Sequence, residues 1–176
     1  MKTFKKWASK EYSFTQRLLG TLPAGLLLVG LIPYALVVAL PRLDATLGLP
    51  RLFFGAPNWI LGVLLMLGGM AFAQWSIWNQ FLQASGTPLP VMPTQKLLVS
   101  GPFKYCRNPM ALGTFVFYAG ISVLVGSLSS LAGVALFAAL LILYIKKVEE
   151  RELEARFGQE YVDYKARTPF ILPRIR

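Results

Sequence analysis

Between Arg107 and Lys146 the chain runs for 38 residues without a charged side chain. As one straight helix at ~1.5 Å per residue that stretch would reach ~57 Å, against a bilayer core of ~30 Å. The segment Gly126-Ser127-Leu128-Ser129-Ser130 divides it into two apolar halves. It therefore reads as a helical hairpin that crosses a membrane and returns. Whatever flanks the hairpin is then brought to one membrane face. Before it stands Gly101-Pro102-Phe103-Lys104-Tyr105-Cys106-Arg107-Asn108-Pro109-Met110, ending at Gly113; after it comes Glu149-Glu150, then Phe157-Gly158, Tyr161, Tyr164 and Arg167, on to Pro173. These are two halves of one polar cassette set side by side, and they predict a site at a membrane surface.

Two further uncharged stretches extend the architecture. Residues 18–41 lie between Arg17 and Arg42, and the stretch from Leu52 to Gln95 holds an apolar core from about Trp59 to Phe81. Each is long enough for a span of ~20 residues. The expectation is an all-α integral membrane protein, a single domain over 1–176 with four spans at about 18–40, 59–81, 110–126 and 129–146. The first stretch exceeds the ~7–15 apolar residues of a cleaved signal, so it reads as an uncleaved span. Pro23 and Pro33 would kink it.

Charge gives orientation. The tail to Arg17 has five basic residues and one acidic, and the loop from Leu82 to Met110 has Lys96, Lys104 and Arg107 with no acid. The hairpin turn has none. That alternation places both termini in the cytosol. Topology and anionic headgroups account for the net charge of +10, so no nucleic-acid partner is expected. With no His at all and one cysteine, Cys106, His-based metal sites, His bases and an internal disulfide are excluded; no metal is expected.

Local patterns fill in the rest. The N-terminal tail alternates aromatic and basic residues (Phe4, Lys5, Lys6, Trp7), as an interfacial segment does. Trp75 and Trp78 fit an aromatic belt, while Gln74 and Asn79 serve either helix contacts or the site. Residues 84–93 read as a Pro-rich loop. From Lys146 a helix continues the fourth span outward, with Glu152 and Arg156 paired at i,i+4. Leu153, Phe157, Tyr161 and Tyr164 share one face if Gly158 leaves that helix intact. Glu149 and Glu150 sit at the membrane exit and need partners, for which Arg107, Lys104 and Lys96 are the candidates.

The order Gly-Pro-Phe-Lys-Tyr-x-Arg-Asn-Pro-Met, apolar hairpin, Glu-Glu-x-x-Leu-x-x-x-Phe-Gly-x-x-Tyr-x-x-Tyr resembles the isoprenylcysteine carboxyl methyltransferase family. The phospholipid N-methyltransferases share the plan more distantly. The resemblance covers about Pro93 to Pro173. It implies a membrane methyltransferase using S-adenosylmethionine, bound between segments 93–113 and 146–173. Implied for the cofactor are Lys96, Gly101, Phe103, Tyr105, Arg107, Asn108, Pro109, Gly113, Glu149, Glu150, Tyr161 and Tyr164. Arginine suits a carboxylate, and the two glutamates suit the ammonium or ribose. Gly101 and Gly113 would permit close approach, and the aromatic rings would wall the adenine. Pro109 would open the third span. Arg107, Asn108 and Glu150 are the implied catalytic residues.

The chain departs from the family at Asn108, often His, and at Ala111, often Tyr. Asn cannot act as a base. The implied chemistry is direct displacement at the sulfonium methyl by a lipid-like or small apolar acceptor arriving from the bilayer, of the isoprenylcysteine carboxylate type or a phospholipid amine, with the enzyme positioning groups and excluding water. The alternatives are an NADPH-dependent reductase of the sterol reductase type and a non-catalytic membrane protein of the same fold.

Overall fold

The computed structural model describes residues 25–83 and 96–173, together with Thr15, Leu19, Leu22 and Pro23. Most of the basic tail and the Pro-rich 84–93 segment lie outside the described residues. Among the described residues all regular structure is helical. Helix α1 covers Leu26–Leu47, α2 Ala56–Gln83, α3 Pro109–Val125 and α4 Leu128–Phe157; α5, Gln159–Arg167, follows. α1, α2 and α4 are long and apolar enough to cross a membrane, and α3 is a shorter apolar helix of 17 residues. This is the all-α integral membrane architecture expected. At ~1.5 Å per residue the 30 residues of α4 reach ~45 Å, so its last turns extend beyond a ~30 Å core.

The prolines of α1 have a definite consequence. Leu26–Leu31 and Ala35–Ala39 form π turns on either side of Ile32–Tyr34. In that register an N–H reaches five residues back, as Ile32 does to the Leu27 carbonyl and Leu40 to that of Ala35. The next carbonyls, Leu28 and Leu36, would fall to residues 33 and 41. Both are proline and have no N–H to give. The hairpin fills each gap with a hydroxyl: Tyr118 donates to the Leu28 carbonyl at 2.6 Å, and Ser130 to that of Leu36 at 2.7 Å. Tyr118 is also central to the apolar core it forms with Leu36, Ile121 and Val134.

α2 and α3 touch through glycine. A Cβ on Gly69 would stand 2.4 Å from the Phe117 nitrogen and 2.6 Å from the Gly113 oxygen, and one on Gly113 would stand 2.5 Å from the Ala73 nitrogen. Only hydrogen fits there, so the two backbones pack directly, as small residues allow between spans.

Polar residues close the end of the bundle that holds the hairpin turn. The first span was expected to stop near residue 40, leaving Asp44 in a loop; α1 instead runs to Leu47 and ends at Gly48 with φ 65°. The charge is tolerated because buried Asp44 accepts from the Ser127 hydroxyl and, at 2.9 Å, from the Ser129 N–H. It thus caps α4 from another helix. Asn58, at the start of α2, donates to the carbonyls of Leu52 and Val123 and accepts from the Phe54 N–H. The opposite end carries both halves of the polar cassette.

Candidate functional site

The first half begins on α2. Asn79 donates to the Trp75 carbonyl and accepts from Gln83, and Gln83 in turn accepts from the Ser100 hydroxyl at 2.9 Å. This relay props the turn Gly101–Lys104 against the end of α2. Gly101, at φ 58°, backs onto Asn79, where a Cβ would meet the amide oxygen at 2.7 Å. Asn79 therefore serves the cassette, while Trp75 and Trp78 are exposed as belt residues are. The Tyr105 ring lies 6.4 Å from that of Trp75. Cys106 is fully buried, and burial pushes its thiol up to about 11. Pro109 is buried and opens α3.

The second half is bent where the sequence left a condition open. Gly158, at φ 55° and ψ −129°, ends the helix from α4 and starts α5. Leu153 and Phe157 thus stand on a different helix from Tyr161 and Tyr164. The break turns α5 back onto the first half, burying both tyrosines. Tyr164 donates to the Phe103 carbonyl at 2.6 Å. The strap after α5 adds two contacts: the Arg107 N–H donates to the Pro169 carbonyl at 2.9 Å, and the Asn108 amide to that of Phe170 at 2.8 Å. The Phe170 ring takes Arg107 on one side at 5.5 Å and Lys146 at 4.9 Å.

Charge completes the closure. Arg107 and Glu150, with side chains 11% and 8% exposed, pair at 2.5 Å. The second Glu150 oxygen takes Lys165 at 2.9 Å, and Lys165 also reaches Glu154 at 2.8 Å. Its bonds to Glu154 and Glu150 hold the Lys165 ammonium above its ordinary pKa. Of the three cations expected to meet the glutamates, Arg107 does so; Lys96 and Lys104 form no ion pair among the described residues. Lys165 was missed, because only the Gly158 break aims it at α4. Arg156 pairs with Glu152 at 3.4 Å as the spacing required. Tyr161 lies beside Arg107 and Glu150; burial above all raises its hydroxyl to about 12, and burial likewise raises Tyr164. Both phenols stay neutral near pH 7.

Between the halves lies a cavity of about 300 Å³, with Val99 and Tyr105 on one side and Tyr164, Thr168 and Pro169 on the other. Lys104 and Arg167 also line it. Other expected site residues are placed elsewhere. Gly113 faces α2, so its missing side chain serves helix packing. Lys96 is exposed, and Phe103 and Glu149 are half-buried. Among the described residues no group of three or more Cys, Asp or Glu side chains is placed to hold a metal ion.

Residues 57–160 match the model of the phospholipid methyltransferase family, which is more than half of the chain. The chain belongs to the phospholipid methyltransferase family. The matched range takes in α2, α3 and α4, the helices that hold Asn79, Arg107 and Glu150 in place. Among curated relatives, the cobalt-zinc-cadmium resistance protein CzcN of Cupriavidus metallidurans is 30% identical over 141 residues, covering 76% of this chain and 62% of that protein. The nickel-cobalt-cadmium resistance protein NccN of Alcaligenes xylosoxydans xylosoxydans is 29% identical over 120 residues, 67% of this chain and 54% of the relative. The chain thus spans only part of these two proteins. Protein-S-isoprenylcysteine O-methyltransferase of Mus musculus is 33% identical over 85 residues, 47% of this chain and 29% of the enzyme. That last similarity agrees with the family resemblance read from the cassette.

Proposed function

We propose that this family member transfers a methyl group from S-adenosylmethionine to a lipid-like or small apolar acceptor, at the cytosolic face of a membrane that it crosses with both termini inside. The observation that carries the reading is the closure of two sequence-distant half-cassettes into one walled cleft at a single end of an apolar bundle. The donor set fits the cofactor. The Nε of Arg107 is buried and has no partner, a donor left over in a site rich in aromatic walls. The cofactor, when bound, supplies an electrophilic methyl on a sulfonium. The chain's own residues orient, exclude water and fix charge. Glu150 holds Arg107 in one place beside the cleft. Asn108 anchors the strap, Tyr164 lines the cleft as a neutral phenol, and Tyr161 packs beside Arg107 and Glu150. Such positioning is the main service a direct displacement needs. The acceptor, being lipid-like or apolar, reaches the cleft from the bilayer.

Calorimetry on the purified chain in detergent tests this. S-adenosylhomocysteine binds and NADPH does not; binding of NADPH alone, or of neither, removes the reading. A screen of lipids and small molecules with methyl-labelled cofactor then identifies the acceptor by which product carries the label.

A further inference from the structure

Four cationic groups, Arg107, Lys165, Lys104 and Arg167, stand in or beside the cleft, and the ion pairs among the described residues use only two of them. Arg107 is largely committed to the frame: Glu150 takes its Nη1 and Phe170 covers its face, while its buried Nε is without a partner among the described residues. A ligand carboxylate binding at its Nη1 would compete with Glu150. Lys165 is likewise held between Glu150 and Glu154. Lys104 and Arg167 differ. Both line the cavity between the halves, and neither forms an ion pair among the described residues. Lys104 rests 5.0 Å from the Tyr105 ring, and Arg167 gives its Nε to the Asp163 carbonyl at 3.2 Å, with its terminal nitrogens making no bond among the described residues. One cation comes from the turn before α3 and the other from the last turn of α5. An anion between them would bind both halves of the cassette at once.

We infer that Lys104 and Arg167 hold the carboxylate end of the cofactor, and that Arg107 stays with Glu150 as part of the frame. This rests on the methyl-transfer reading and sharpens it, because sequence alone assigned the carboxylate to Arg107 and left Lys104 and Arg167 out of the cofactor set. Charge-assisted bonds from an ammonium and a guanidinium are strong enough to discriminate a carboxylate from its absence. Both groups are partly solvated, so the contribution falls with added salt.

The test compares two ligands on the purified full chain: S-adenosylhomocysteine and its decarboxylated form, which keeps the ammonium, sulfur and adenosine. The parent prefers the carboxylated ligand by roughly 10- to 100-fold. In Lys104→Ala/Arg167→Ala that preference collapses to about 2-fold or less, while affinity for the decarboxylated ligand holds, which also reports that the pocket is folded. Lys104→Arg/Arg167→Lys restores most of the preference, and salt erodes it in the parent only. If the double alanine variant keeps the parent's preference, this assignment is wrong while the methyl-transfer reading stands. If the parent binds neither ligand, both fall together.

Discussion

The two proline-orphaned carbonyls of α1 make a quantitative test of how the bundle is held. Tyr118→Phe removes one hydroxyl from a ring that is 1% exposed and leaves the Leu28 carbonyl without its 2.6 Å donor. A buried acceptor stripped of its partner costs ~1–3 kcal/mol in water-soluble proteins, and interhelical bonds in membranes average nearer ~0.6 with a maximum of ~1.7. The apolar surroundings and the absence of a backbone N–H at residue 33 place this bond at the upper end, about 1.5 kcal/mol, or roughly tenfold in the unfolding equilibrium. The decisive comparison is Tyr118→Phe in a Pro33→Ala background. Alanine restores an N–H in the position that the π register assigns to Leu28, so the hydroxyl becomes redundant and its removal costs under ~0.5 kcal/mol. A double-mutant cycle followed by circular dichroism, titrating purified protein in mixed micelles with denaturing detergent, reads the coupling directly. Equal costs for Tyr118→Phe in both backgrounds would refute the account of Pro33 and Tyr118 as a complementary pair.

Other outcomes follow from single positions. Gly69→Ala destabilises by ~1–3 kcal/mol because its Cβ meets backbone on both sides, whereas Gly68→Ala, with open space around it, is close to neutral; the same unfolding titration checks both. Asp44→Ala strips the α4 N-terminus of two charge-assisted bonds and lowers stability, with Asp44→Asn losing less, and neither changes the affinity for S-adenosylhomocysteine because Asp44 sits at the far end. Cys106, with no exposure and a thiol pushed up to about 11, resists maleimide at pH 7.5 until the protein is unfolded; rapid labelling of the folded protein would contradict its buried placement.

Much of the fold was legible because a membrane simplifies the rules. A charge-free run of fixed length has few ways to be placed, so the hairpin and the meeting of the two half-cassettes followed from counting. The Arg107–Glu150 pair was within reach for the same reason, since two opposite charges at one exit need each other. What escaped depended on geometry that no count contains. Asp44 looked like a loop residue because nothing in the sequence shows that Ser127 and Ser129 will reach it. Lys165 became a partner of Glu150 only through the left-handed break at Gly158. Asn79 and Gln83 act through Ser100, 17 residues past Gln83. Pro33 was legible as a kink, Pro41 was not, and the hydroxyls that answer them lie on helices far along the chain.

The same geometry accounts for the departure at position 108. Beside the Arg107–Glu150 pair, three hydrogen bonds that close the two halves end on main-chain carbonyls: Phe103, Pro169 and Phe170. A carbonyl asks only for a donor of suitable reach. The Asn108 amide meets that need as an imidazole N–H would, so replacing the His common in the resembling family leaves the strap's anchor intact. What Asn removes is a titratable group. Closure of the cleft is therefore independent of pH near neutrality at this position, and an acceptor that must lose a proton has to lose it elsewhere. Under the proposed methyl transfer, Asn108 supplies no base to an amine acceptor, whereas a carboxylate or thiolate needs none.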